Sequence, residues 1–304
     1  MKQASTALRL DGLGVWTEER TFSVTAERIA AYALATNDPY PAHIRGELAP
    51  PLFAVVPVQE TVGLGVSGVM AAVIPHDVMM TGLHSEHDLR MHRPIVPGMV
   101  LAVRAAPVGV HTMPRGTALV VRFVTSEVGT GRPVNEQYFK ALFRAAREPL
   151  DIGEDMPDHR LPGDTRNSAP VATFVQRTDC DQTVRYAVAS GDDMAVHLDD
   201  EVARSVGLPG IIVHGLYTLA FISQGISETV AGGDPSHLRR LAVRFTHPLL
   251  PGQPFATRVW RMADSFGFES ATEDGQMILK DGLAASGLRP IDVPPPAFHA
   301  RTRS

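Results

Sequence analysis

Two stretches of this 304-residue chain repeat one another at one constant spacing, which narrows the possible folds more than any other feature. Residues 32–43 read YALATNDPYPAH and residues 186–197 read YAVASGDDMAVH. Tyr32 and Tyr186, Asp38 and Asp192, and His43 and His197 each stand 154 positions apart. RPIVPG at 93–98 and HPLLPG at 247–252 keep the same offset. Landmarks that recur in order at one offset imply two copies of one domain, residues 1–147 and 171–286. The stretch between them, residues 148–170, is rich in Pro, Gly and Asp and reads as a linker. Residues 287–304 read as a flexible tail.

Each copy carries the same coarse pattern. A short helix comes first, capped by Thr25 in one copy and Asp179 in the other, with Ile29, Tyr32 and Ala33 or Val184, Tyr186 and Ala187 at helical spacing. Gly191 supplies a stop in the second copy. A polar loop leads to a mostly apolar helix, expected over about 55–73 in copy one and 214–230 in copy two. Strand-like runs close each copy, among them 118–128 and 254–262, and Asp274-Gly275 marks a hairpin. A helix followed by an antiparallel meander predicts an α+β fold, with a sheet wrapped on one buried helix.

Composition excludes several classes of function. A net charge of −5 and only three lysines, Lys2, Lys140 and Lys280, argue against a broad nucleic-acid surface. The single cysteine, Cys180, rules out an intrachain disulfide and predicts a reducing compartment. No apolar signal core occupies the first twenty residues, and Gln59 and Glu60 interrupt the longest apolar region, 52–75. A cytoplasmic protein, free of membrane, is expected.

The candidate chemistry gathers at Ser190-Gly191-Asp192-Asp193-Met194-Ala195-Val196-His197, followed by Val213-His214-Gly215. Asp192 and His197 are too far apart to share a helical turn, but on an irregular loop after a glycine stop they can converge on one water as an acid–base pair. Gly215 opens the apolar helix, where its N–H is suited to an oxyanion and its missing side chain admits a carbonyl. Spacing alone leaves a plainer alternative open, in which Asp192 caps a turn and His197 packs in the core.

At these residues the chain resembles the MaoC-like, hydratase-2 family of hotdog-fold enoyl-CoA hydratases, in its two-hotdog form. The family pattern is Tyr, three residues, Ser-Gly-Asp-x-Asn-Pro-(Ile/Leu/Val)-His, then His-Gly. Tyr186, Ser190, Gly191, Asp192, Val196 and His197 match it, and His214-Gly215 fall at the family's gap. Residues 242–260 are similar to its Pro-Gly strand and Trp-bearing neighbour, and Ala49-Pro50-Pro51 with 83–95 are similar to its degenerate N-terminal hotdog.

The resemblance implies a double hotdog that hydrates trans-2-enoyl-CoA to the (3R)-hydroxyacyl thioester, or runs the reverse dehydration. Asp192, His197 and Gly215 would be catalytic, and Ser190, Met194, Val213 and His214 would line the substrate. No cofactor or metal is implied, coenzyme A entering only as part of the substrate, and a homodimer is expected. A non-catalytic acyl-CoA-binding partner subunit and a hotdog thioesterase are the rival readings.

Met194-Ala195 stand where the family has Asn-Pro, removing a hydrogen-bonding amide, so Met194 is expected to line the acyl pocket. Asp193 adds a second carboxylate. Copy one keeps Asp38 and His43, but Val55-Val56 stand in place of His-Gly, and only 8 positions separate His43 from Pro51, against 13 from His197 to Gly210. Copy two is therefore expected to be the catalytic one. Gly63 to Gly68 fit G-x-G-x-x-G without the strand a dinucleotide site needs. His84, Glu86, His87 and His92 invite a metal but align with a strand. Arg239, Arg240 and Arg244 are read as bordering a strand edge, with Arg240 and Arg244 as candidates for the phosphates of coenzyme A.

Overall fold

A computed structural model describes residues 8–63, 68–79, 82–144 and 149–287. Residues 288–304 of the expected tail, and 64–67 of the glycine-rich run, lie outside the described residues. Eleven strands form a single sheet: β1 (Arg20–Ser23), β2 (Gly82–Met91), β3 (Val100–Met113), β4 (Gly116–Glu127), β5 (Pro133–Phe143), β6 (Asp151–Gly153), β7 (Ala172–Arg177), β8 (Leu238–Phe245), β9 (Pro254–Arg261), β10 (Phe266–Thr272) and β11 (Met277–Ser286). The helices are α1 (Ala26–Ala35), α2 (Pro41–Ile44), α3 (Val55–Thr61), α4 (His76–Met79), α5 (Gly163–Arg166), α6 (Gln182–Ser190), α7 (Asp200–Ser205) and α8 (Gly215–Val230).

Strand order is β1-β3-β4-β5-β2-β8-β11-β10-β9-β7, with β6 on β3. Read from its two ends, each half runs through the same sequence of strands, and the halves meet where β2 and β8 pair antiparallel. The repeat in the sequence is thus a repeat in space, two hotdog units fused through one seam. Tyr32 and Tyr186, equivalent in the repeat, meet there with ring centroids 5.8 Å apart.

The second copy's long helix forms as its sequence predicts. Leu216, Tyr217, Leu219, Phe221, Ile222 and Ile226 of α8 are buried, each apolar side chain contributing about 1.5–3 kcal/mol. Its buried serine and threonine hydroxyls are satisfied along the helix: Thr218, Ser223, Ser227 and Thr229 donate to carbonyls three or four residues back. Gly225 lets β7 approach, since a Cβ there would stand 2.5 Å from the Phe174 ring.

Copy one departs from expectation. Its helix α3 ends at Thr61, with Gly63 at φ +66°, and Val69–Ala72 form a separate 3-10 turn. A left-handed glycine stops the helix long before residue 73. In copy two, Asp181 rather than Asp179 occupies the N-cap position of α6, and Asp179 is drawn instead to Arg185 at 2.6 Å.

The connection between copies is more than a tether. Strand alternation puts Leu89, Met91, Leu241 and Val243 toward the helices, and Glu86, Asp88, Arg240 and Arg244 on the opposite face. The connecting segment crosses that outer face over the seam: β6 pairs with β3, Lys140 holds Asp155 at 2.7 Å, and Leu161 is buried. His159 bridges Glu86 and the Asp281 carbonyl, and Arg166 binds Glu269 and Asp281. Ion pairs convert a Pro- and Gly-rich stretch into a strap.

Candidate active site

Helix α6 ends at Gly191, whose φ of +77° turns the chain out of the helix. Ser190 fastens the turn, donating to the Tyr186 carbonyl at 2.8 Å and accepting from the Asp192 N–H at 3.2 Å. A 3-10 turn, Ala195–His197, then brings His197 back toward Asp192. Its Nδ1 lies 2.8 Å from the Ile212 carbonyl, so that nitrogen carries the proton and Nε2 keeps its lone pair. Ile212 is delivered there by α7, which the longer gap of the second copy accommodates.

His214, just before α8, stacks on His197 with ring centroids 3.8 Å apart and donates Nε2–H to the Asp192 carbonyl at 3.0 Å. Burial pushes His214 down to about 3, helped by the neighbouring His197. Burial also raises the Asp192 carboxyl above its ordinary value, against the pull of His197, and lowers His197 against the pull of Asp192. The low-dielectric setting thus moves both groups toward their uncharged forms. That pairing can give one proton and take another.

Gly215 opens α8, so its N–H belongs to the unpaired first turn. A Cβ at Gly215 would meet the Phe245 ring at 3.0 Å, so β8 closes in behind the glycine. A cleft of about 190 Å³ is lined by Val55, Gln59, Tyr186, Ser190, Asp192 and Leu216. Both copies build it, since α3 supplies Val55 and Gln59.

Asp192, His197 and His214 each offer an atom within 4.8 Å of the others, a grouping that invites a metal. The two imidazoles lie stacked at 26°, however, so their in-plane lone pairs run side by side instead of converging. Strand β2 places His84 and His87 toward the helices and Glu86 on the outer face, so those three cannot share one ion.

The expected site residues divide into two groups. Ser190 and Asp192 line the cleft, His197 and His214 stand against Asp192, and Gly215 precedes the cleft-lining Leu216. Val213 is buried, its N–H on the Leu249 carbonyl at 2.8 Å. Met194 is 49% exposed and stands outside the cleft lining, because the 3-10 turn swings its side chain outward. Arg240 and Arg244 require correction. Strand β8 is no edge but the central strand of the sheet, and both arginines point to its outer face. Arg240 clasps the fully buried Asp88 through two nitrogens, and Arg244 reaches Glu86 and Asp281, each at 3.4 Å.

Residue reasoning missed Gln59, whose amide donates to the Gly191 carbonyl at 3.4 Å. The signal was present: Gln59 is one of the two polar residues that break the apolar region 52–75.

The sequence model of the family described as "MaoC like domain" matches residues 159–280, and that described as "FAS1-like, dehydratase domain region" matches residues 12–137. A Dictyostelium discoideum protein named "Probable enoyl-CoA hydratase 2" is 31% identical over 214 residues, 69% of this chain and 71% of that protein. The Arabidopsis thaliana protein named "Enoyl-CoA hydratase 2, peroxisomal" is 25% identical over 184 residues, 59% of each. A crystal structure of a MaoC-like dehydratase from Phytophthora capsici superposes with a TM-score of 0.77 over 93% of this chain and 98% of that one, at 21% identity. At that identity the likeness speaks for the fold.

Proposed function

We propose that this chain, which belongs to the MaoC-like dehydratase family, adds water to trans-2-enoyl-CoA thioesters to give the (3R)-hydroxyacyl product, or runs the reverse dehydration. The observation that carries the reading is the convergence of His197, its Nε2 lone pair kept, and the half-buried Asp192 carboxyl within 4.8 Å of one another beside the start of α8. In hydration, the Gly215 N–H donates to the thioester carbonyl and polarises the 2,3-double bond. His197 Nε2 takes a proton from water as the oxygen bonds to C3. Asp192 gives its proton to C2, and the imidazolium returns a proton to the carboxylate. An oxyanion donor of this kind is worth about 3 kcal/mol in the transition state.

No cofactor enters this scheme, and coenzyme A is part of the substrate. Assembly as a homodimer belongs to the same reading, supported by the exposed Val184 and Val188 of α6 and Val175 of β7, and light scattering measures it. Residence in the cytoplasm does too, and cell fractionation decides it against the peroxisomal placement in the Arabidopsis relative's name. The test of activity is loss of the enoyl-thioester absorbance on adding crotonyl-CoA or a longer enoyl-CoA. An unchanged band across a range of chain lengths would favour a non-catalytic acyl-CoA-binding subunit, and release of free thiol a thioesterase.

A further inference from the structure

The sheet is continuous, yet the apolar core beneath it is divided. One cluster, with Leu89, Met91, Leu241 and Leu216, runs under the seam through the second copy and into the first, where it takes in Ile29, Leu52 and Phe53. Another, with Val121, Phe123, Phe139 and Ala141, lies within the first. Polar side chains stand between them on the helix-facing side: His84 and His87 of β2, Asn135 and Gln137 of β5, and Thr125 of β4.

Several of these polar atoms are unsatisfied. Nδ2 of Asn135 and Oγ1 of Thr125 are buried without a hydrogen-bond partner, and His87, whose ring nitrogens make no hydrogen bond of good geometry, has the Gln137 side chain beside it. His87 and Asn135 are 1% exposed and Thr125 is wholly buried, so bulk solvent does not reach them. An unpaired buried donor or acceptor destabilises a fold, and such groups call for a ligand or a functional explanation.

The row begins behind both walls of the cleft. Gln137 donates to the Ala54 carbonyl at 2.8 Å and to Asn135 Oδ1 at 3.0 Å, and the residue after Ala54 is the cleft-lining Val55. On the other wall, Gly215 backs onto Phe245, whose ring is 4.7 Å from His84, and His84 is 5.4 Å from His87. An acyl chain attached to a thioester at Gly215 would reach these groups if directed into the first copy.

We infer that the polar row is a subsite for an uncharged oxygen, a hydroxyl or carbonyl, carried on the acyl chain beyond the reacting double bond. This rests on the hydratase reading and names the substrate class it acts on. The oxygen is uncharged because the row offers only neutral donors and acceptors. Burial holds His87 down to about 4, and the charged side chains Glu86 and Asp88 of the same strand are paired on the outer face. A neutral imidazole with one donor and one acceptor nitrogen matches a hydroxyl, which is both.

The experiment measures kcat/KM for three enoyl-CoAs of equal length: unsubstituted, hydroxylated on a saturated carbon beyond C4, and ending in a carboxylate. The hydroxylated chain is expected to lead the unsubstituted one by about ten-fold or more, and the carboxylate to come last. His87→Leu, Asn135→Leu and the gentler Thr125→Val should each cut that lead about ten-fold, the last keeping the readout available if a larger change unfolds the chain. Dissociation constants for the matching saturated acyl-CoAs, with and without the hydroxyl, read the same ratio without turnover. A ratio near one in the wild type, or a ratio untouched by all three substitutions, overturns the subsite. Absence of turnover with the binding ratio intact overturns the hydratase reading and leaves the subsite standing.

Discussion

The Asp38–His43 and Asp192–His197 pairs start from the same five-residue spacing and end in different hydrogen bonds. In copy one, His43 Nδ1 meets Asp38 Oδ2 at 2.9 Å, and Asp38 Oδ1 accepts from the Tyr40 N–H at 2.8 Å. The carboxylate is spent on its own loop. In copy two, His197 Nδ1 turns to the Ile212 carbonyl and Asp192 Oδ1 accepts only a long bond from the Met194 N–H at 3.5 Å, which leaves Nε2 and the second carboxyl oxygen to meet a shared reactant. The difference lies in the segment that follows. Copy two has room for α7 and a return to Ile212, whereas the shorter loop of copy one, stiffened by Pro39 and Pro41, brings no such carbonyl. Downstream, Val56 stands where Gly215 would, so copy one keeps a dyad without its oxyanion donor. A sequence motif can survive as a local clasp after its chemical surroundings are gone.

The sharpest way to break this comparison is to disable each pair in turn. His197→Ala and Asp192→Asn should each lower kcat by about 10²–10⁴-fold in an enoyl-CoA hydration assay, the usual contribution of a positioned acid–base group. Asp38→Asn and His43→Ala should stay within about three-fold on the folded fraction; the reverse pattern would move the chemistry to copy one. Next in size is the seam joining the copies. Arg240→Ala leaves the buried Asp88 with only the longer Arg90 ion pair at 3.6 Å and should cost about 2–3 kcal/mol in urea unfolding, with KM for an acyl-CoA unchanged.

Gly215→Ala forces a Cβ onto Phe245 and should lower kcat/KM about ten- to a hundred-fold with little loss of stability. A fourth test is the pH profile. Burial holds His197 below its ordinary 6.5, and protonation removes the base, so the acid limb of kcat/KM should inflect below pH 6.5. An inflection above 6.5 would mean that the imidazole is not held neutral as described. The smallest effect belongs to Met194→Asn. Because Met194 is half exposed and outside the cleft lining, rates on straight-chain substrates should change about two-fold or less.

Much of the fold was legible because the features that specify it are local. Gly191 ends α6 wherever that helix packs, and the apolar run from 215 makes α8 the buried helix of its half. Asp274-Gly275 turns β10 into β11 through residues that only need to be adjacent. The candidate site was legible to the extent that Ser190, Asp192, His197 and Gly215 sit in one recognisable run with a fixed gap. Other features stayed hidden because distant residues decide them. Nothing near Arg240 announces that Asp88, 152 positions away, will claim it on the far face of the sheet. Nothing near Met194 shows that a 3-10 turn will point it outward.

The sequence by itself determined that there are two copies, that α8 and the turn between β10 and β11 fall where they do, and which copy retains a glycine behind its acid–base pair. Those are properties of spacing and of residues whose backbone preferences act within a few positions. Tertiary structure alone decided which nitrogen of each histidine is free, and that the polar break at Gln59 would reach across to Gly191. It also turned a Pro- and Gly-rich connection into a strap over the seam. The physical reason is that each of these depends on groups brought within a few ångströms only after both copies have folded and their sheets have joined.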